Sequence, residues 1–131
     1  MNLGKETRVT LSNGITVVNF ASKKSFEFQD GSILEEVSEE RARRLLCKPV
    51  ETETDGPKVS TEVVLTYKVT NHLMRELIRL IEDPSVDIIL VPMPVVTAIT
   101  NCHGVFPKVC KIMPEEDGRL SIDRFYRYRG E

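Results

Sequence analysis

"NHLMRELIRLIEDPSVDIILVP", residues 71–92, decides the fold. Its first half is helical. Leu73, Met74, Leu77, Ile78 and Ile81 fall on one face at the 3.6-residue period. Thr70, just before it, is a good cap, because a hydroxyl there accepts from the free amides of the first turn. Asp83-Pro84-Ser85 ends the helix. Residues 86–92, "VDIILVP", are then a nearly continuous apolar run of strand length. Such a run suits a strand covered on both faces. A helix that feeds a buried strand through a three-residue link is a mark of α/β or α+β architecture.

Upstream, residues 8–11 and 15–20 read as strands around Ser12-Asn13-Gly14, and 26–28 with 32–34 as a second hairpin around Asp30-Gly31. Ser38 caps a short helix with the apolar stripe Ala42, Leu45 and Leu46, stopped by Pro49. Residues 50–54 and 59–69 are candidate strands flanking a turn at Asp55-Gly56-Pro57. Downstream, residues 95–101 read as a short helix or a loop. Residues 109–113 and 120–128 read as a last hairpin. The expectation is one α+β domain over residues 1–131, with a mostly antiparallel or mixed sheet and two or three helices.

At 131 residues the chain can bury one sizeable core. A net charge of −2 argues against general nucleic-acid binding, which rests on a basic surface. No apolar run approaches the roughly 20 residues of a membrane span. "MNLGKETR" lacks an apolar signal core, and the three cysteines form no disulfide framework. A cytoplasmic location is expected.

Familiar chemistry is sparse. There is no GxxxxGK[ST] and no GxGxxG, so no nucleoside-triphosphate enzyme of the common kinds is expected. Cys102, His103 and Cys110 lack a fourth partner for zinc, and the cysteines read as small buried hydrophobes. No cysteine nucleophile has a local signature, and neither metal nor cofactor is expected. Three places suit an anion. After the second strand stand Asn19, Ser22, Lys23 and Lys24. At the helix start stand Thr70, Asn71 and His72, where free amides and the dipole favour negative charge. In the tail, Arg119, Arg124, Arg127 and Arg129 alternate with Phe125, Tyr126 and Tyr128, a pattern suited to phosphate and base stacking. Each has a plainer alternative: a loop, a capped helix with a solvent-facing histidine, and a soluble edge strand.

A strand ending in Asn19-x-x-Ser22, then Phe26-Glu27-Phe28, then the capped helix "SEERARRLL", then a helix opened by a polar residue and His72, then an apolar strand: this order, over residues 15–91, resembles the small viral ring nucleases. That anti-CRISPR family destroys cyclic tetra-adenylate. The resemblance implies that Asn19 and Ser22 contact the ligand and that His72 is catalytic; where the family has Gly before His, this chain has Asn71. The opening "NGITVVNFASKKSFEFQDGS", together with "VDIILVPMPVVTAI", is also similar to small phage and prophage proteins. Proteins of that size and context include sponges that sequester nucleotide immune signals, such as the Thoeris and CBASS counter-defence proteins.

The resulting expectation is a phage-type anti-defence protein in the host cytoplasm. It binds a cyclic nucleotide or related phosphorylated signal without cutting it, through Asn19, Ser22, Lys23, Lys24, Thr70, Asn71, Arg124 and Arg127. One alternative is a metal-independent ring nuclease with His72 as general acid. Another is a phage structural or assembly protein with no small ligand. A homo-oligomer is expected because "IILVPMPVV", residues 88–96, is more apolar than one small sheet needs and the tail strand offers a free edge.

Overall fold

The structure, a computed structural model, describes residues 5–45, 49–55, 61–67, 69–103, 106–110 and 118–125. The elements are β1 (Thr7–Thr10), β2 (Thr16–Asn19), β3 (Phe26–Glu27), β4 (Ile33–Leu34), α1 (Glu39–Leu45), β5 (Pro49–Asp55), β6 (Thr61–Tyr67), α2 (Asn71–Glu82), β7 (Ile88–Leu90), α3 (Met93–His103) and β8 (Val109–Cys110). The class is α+β; among the described residues there are three helices, one mixed sheet and two antiparallel strand pairs.

The central sheet has the order β1-β2-β7-β8. β1 lies antiparallel to β2, with Arg8 opposite Val18. β2, β7 and β8 are mutually parallel, with Val18 opposite Ile89 and Ile89 opposite Val109. Parallel neighbours need a crossover, and α2 and α3 supply it. Burial alternates strictly between the two faces. Val18, Phe20, Ile89, Val91 and Val109 pack under Leu73, Leu77 and Leu80 of α2 and Val95, Val96 and Ile99 of α3. Val17, Leu90 and Cys110 point the other way, against Leu11, Phe28, Leu34 and Leu120. Both crossover helices therefore cover one face, and the β3–β4 hairpin with residues 118–125 covers the other. This is why residues 86–92 are apolar almost throughout.

The helix ends behave as local chemistry dictates. Thr70, in an extended conformation, accepts the Leu73 N–H at 3.1 Å. Ser38 accepts the Arg41 N–H at 3.1 Å. α3 is a full helix where the sequence allows helix or loop. Pro92 O takes the Val95 and Val96 amides, and Pro94 sits in the first turn, where its missing N–H costs nothing.

Of the expected final hairpin, residues 111–113 and 126–128 lie outside the described residues, and β8 joins the parallel sheet beside β7. Leu120 bridges Phe28: its N–H reaches Glu27 O at 2.8 Å, and its carbonyl takes Gln29 N–H at 2.9 Å. The reason is burial, since Val109 and Cys110 are apolar on both sides and the place next to β7 uses both. Of the turns expected at Asp55-Gly56-Pro57 and Glu115-Glu116-Asp117-Gly118, residues 56–57 and 115–117 lie outside the described residues. β5 and β6 form a separate antiparallel ribbon, with Thr52 opposite Val64.

The apolar run 88–96, a reason to expect self-association, is consumed within the chain. Ile89, Leu90, Val91, Val95 and Val96 are all buried, and Met93 is the large residue left exposed there. Among the described residues no helix is long and apolar enough to cross a membrane.

Candidate ligand-binding edge

α2 and β7 are joined by a short link, so they run antiparallel. α2 is thus antiparallel to β2 as well, and its first turn lies at the carboxyl edge of the parallel strands. Arg41 fixes the level. Its Nε donates to Phe20 O at 2.8 Å, and its Nη1 donates to Glu76 Oε1 at 2.8 Å. Glu76, in the second turn of α2, therefore stands level with the end of β2. Asn71 and His72 stand a little more than one helical turn, roughly 6–7 Å, beyond it.

Arg41 is wholly buried, and its guanidinium lies 5.5 Å from the centre of the Phe20 ring. By residue type alone it reads as an ordinary helix cation. Its spacing says otherwise: Arg41 and Leu45 are four apart and share the buried face.

From Arg41 a ladder of charges runs along α2. Glu76 meets Arg79 at 3.2 Å, Arg79 meets Glu6 at 2.6 Å, Glu6 meets Arg8 at 2.8 Å, and Arg8 meets Asp83 at 3.5 Å. Hydrogen bonds from Arg79, helped by Arg41, hold the Glu76 carboxyl down at about 2 against the effect of burial. Burial alone would raise Glu6, but bonds from Arg79 and Arg8 outweigh it and keep that carboxyl below its usual range. The ladder locks α2 to α1 and to the start of β1.

Asn19 is spent inside the fold. It is fully buried, and its Nδ2 donates to the carbonyls of Ser22 at 3.0 Å, Glu35 at 3.0 Å and Lys24 at 3.4 Å. Its Oδ1 accepts the Ser22 N–H at 2.9 Å. The amide is a brace for the loop 20–25, and the expected ligand contact at Asn19 is withdrawn for that reason. Ser22 is half-buried; its Oγ accepts the Lys24 N–H, and its carbonyl also takes the Val37 N–H. Lys23 and Lys24 are exposed, and their side chains make no ion pair or hydrogen bond among the described residues. α1 stands between this loop and α2, with Arg41 tied to the loop's Phe20 carbonyl on one side and to Glu76 on the other.

Thr70, Asn71 and His72 are all exposed. Among the described residues no group orients the imidazole of His72. Arg124 lies elsewhere. It follows Ile122, whose carbonyl accepts Asn13 Nδ2 at 2.7 Å beside the turn that opens β2, and its segment packs on the face opposite α2. Ser22, Lys23 and Lys24 follow the carboxyl end of β2, Thr70, Asn71 and His72 open α2 with α1 between the two groups, and Arg124 lies on the opposite face. Arg127 lies outside the described residues.

No group of three or more His, Cys, Asp or Glu side chains converges as metal ligands among the described residues. Cys110 is buried in the apolar layer. Compared with known proteins, the chain matches no family model, no curated sequence and no solved structure.

Proposed function

We propose that the chain is a small binding module that sequesters a phosphorylated, nucleotide-like ligand at the carboxyl edge of β2 and β7. In this reading it serves as a phage-type anti-defence protein in the host cytoplasm. One observation supports the binding part: Lys23 and Lys24, just past the carboxyl end of β2, are exposed, and so is the capped first turn of α2. Phosphate oxygens take charge-assisted bonds from ammonium groups and from helix-start amides alike. The Arg41–Glu76 bridge and the Asn19 brace support this edge before any ligand arrives, which lowers the ordering cost of binding. His72 faces solvent, whereas a general acid acts when held toward the atom it protonates. Binding is therefore preferred over cleavage.

Calorimetric titration with cyclic oligoadenylates, cyclic dinucleotides and pyrophosphate tests this reading. Saturable binding is expected with at least one probe. The double change Lys23→Gln, Lys24→Gln should weaken it about tenfold or more. Heating the complex should return intact ligand; a linear product would replace sequestration with the ring-nuclease reading. Silence from every probe would leave the structural or assembly role. Self-association belongs to the same proposal, and a monomer by light scattering at micromolar concentration would remove that part.

A further inference from the structure

Asn13 is the one asparagine of the chain that precedes glycine, and it is exposed at the turn between β1 and β2. A glycine has no side chain to shield its nitrogen, so that nitrogen can attack the neighbouring side-chain amide. The Gly14 N–Cγ bond forms and the Cγ–Nδ2 bond breaks. Ammonia leaves with the proton from Gly14 N, and a cyclic imide remains. Water then opens the ring at one of its two carbonyl carbons. One opening gives aspartate and the other isoaspartate.

Three hydrogen bonds oppose this reaction. Gly14 N–H is given to Leu11 O at 2.9 Å. Asn13 Oδ1 accepts the Ile15 N–H at 3.2 Å. Asn13 Nδ2 donates to Ile122 O at 2.7 Å. The first two are local to the turn. The third comes from the far end of the chain and exists only while residues 120–123 are docked.

We propose that Asn13 is a deamidation site guarded by the docked segment 120–123, and that its conversion is a one-way change that weakens that docking. After conversion a carboxylate oxygen stands where the Nδ2 donor faced Ile122 O, so two acceptors oppose each other. The Asp30 carboxylate already accepts the Ser12 N–H in the same cluster of turns, so the new charge also meets a like charge nearby. An isoaspartyl link adds a methylene to the backbone of a tight turn whose Gly14 sits at φ +87°. Each effect acts against redocking.

Peptide mapping of the full chain during incubation at mildly alkaline pH tests the first half. Asn13 should convert slowly in the wild type. Conversion should be several-fold faster in Leu120→Ala, which loosens the segment and leaves every residue of the turn itself unchanged. If that variant does not fold, urea below the unfolding midpoint takes its place. Asn13→Gln, which does not close the five-membered imide readily, should stop the reaction at this position. Equal rates at Asn13 in the native and fully denatured chain would overturn the guarding role. Asn13→Asp, made directly, should lower the melting temperature and speed amide exchange in residues 118–125. Wild-type behaviour of Asn13→Asp would overturn the claim that conversion weakens docking.

Discussion

The central sheet meets different material on its two faces. Under α2 and α3 the contacts are leucines and valines repeated at helical spacing, backed by a ladder of paired charges. Under the β3–β4 hairpin and residues 118–125 they are single large residues brought from distant parts of the chain: Leu11, Phe28, Leu34 and Leu120. Turn bonds hold this second layer in place. Asp30 accepts the amides of Ser12 and Ser32 at 2.8 Å each, and Asn13 reaches Ile122 O. Those two backbone donors hold the Asp30 carboxyl well below the usual carboxylate range. One face is thus built from periodic, local elements, the other from a few long-range pins. Redundancy differs accordingly: a missing leucine under α2 has similar neighbours, whereas a missing pin has none.

The largest effect should come from removing a pin. Phe28 is fully buried and is the partner of Leu120 in the strand bridge. Phe28→Ala should cost about 3–5 kcal/mol and release residues 118–125, read as lost amide protection there. On the other face, Leu77→Ala should cost about 2–5 kcal/mol, toward the lower end if Leu73 and Leu80 close the gap. A lower urea midpoint for Leu77→Ala than for Phe28→Ala would reverse the comparison.

Next comes the loop brace. Asn19→Ala strands the Ser22 amide and removes the donor shared by three carbonyls. A cost of about 1–3 kcal/mol is expected from leaving buried polar groups unmet. If ligand binding at Lys23 and Lys24 is real, this variant should weaken it indirectly, by loosening the loop, and Asn19→Gln should fail to rescue it. An unchanged urea midpoint would show that the brace is dispensable.

The contrast between the faces also explains what was legible in the sequence. α2 and its cap could be read because the apolar period and Thr70 are local, and β7 because both of its sides are apolar. The two hairpin turns announced themselves through Asn13-Gly14 and Asp30-Gly31. The place of β8 and the bridge from Leu120 to Phe28 could not be read, because parallel pairing between distant segments leaves no local mark. At the candidate edge, Asn19 looked like a ligand contact because a polar residue ending a strand suits a brace and a binding group equally; burial separates the two. Arg41 was hidden by its charge, although its spacing to Leu45 placed it inside.

The ladder on the helix face gives a pH signature, and Asp30 gives one of the same sign on the pinned face, so a Glu76 variant is what separates the two. Glu76 titrates at about 2 in the folded chain against a usual 4.5, so the folded state favours its charged form. The stability this adds is fully present above pH 4.5 and is lost as the pH falls toward 2. Urea midpoints of the wild type should therefore drop across that window. Glu76→Gln should start lower at neutral pH and fall less steeply. Parallel curves for the two proteins would mean that the Arg41–Glu76–Arg79 chain contributes nothing to acid sensitivity.

The smallest expected effect lies where α2 meets β8. Lys108 holds φ at +68°, in the left-handed region that costs a side-chain-bearing residue about 1–2 kcal/mol. Its Nζ donates to Asp83 O, the carbonyl just past the end of α2, at 3.0 Å. Lys108→Ala loses the bond and keeps the strain; Lys108→Gly loses the bond and relieves the strain. The glycine variant should exceed the alanine variant by about 1 kcal/mol in urea unfolding. The wild type should fall near the glycine form, because the lysine bond offsets the backbone cost. Should alanine equal glycine, the backbone has moved out of the left-handed region at no expense. The junction between helix and strand would then be softer than the rest of the helix-covered face.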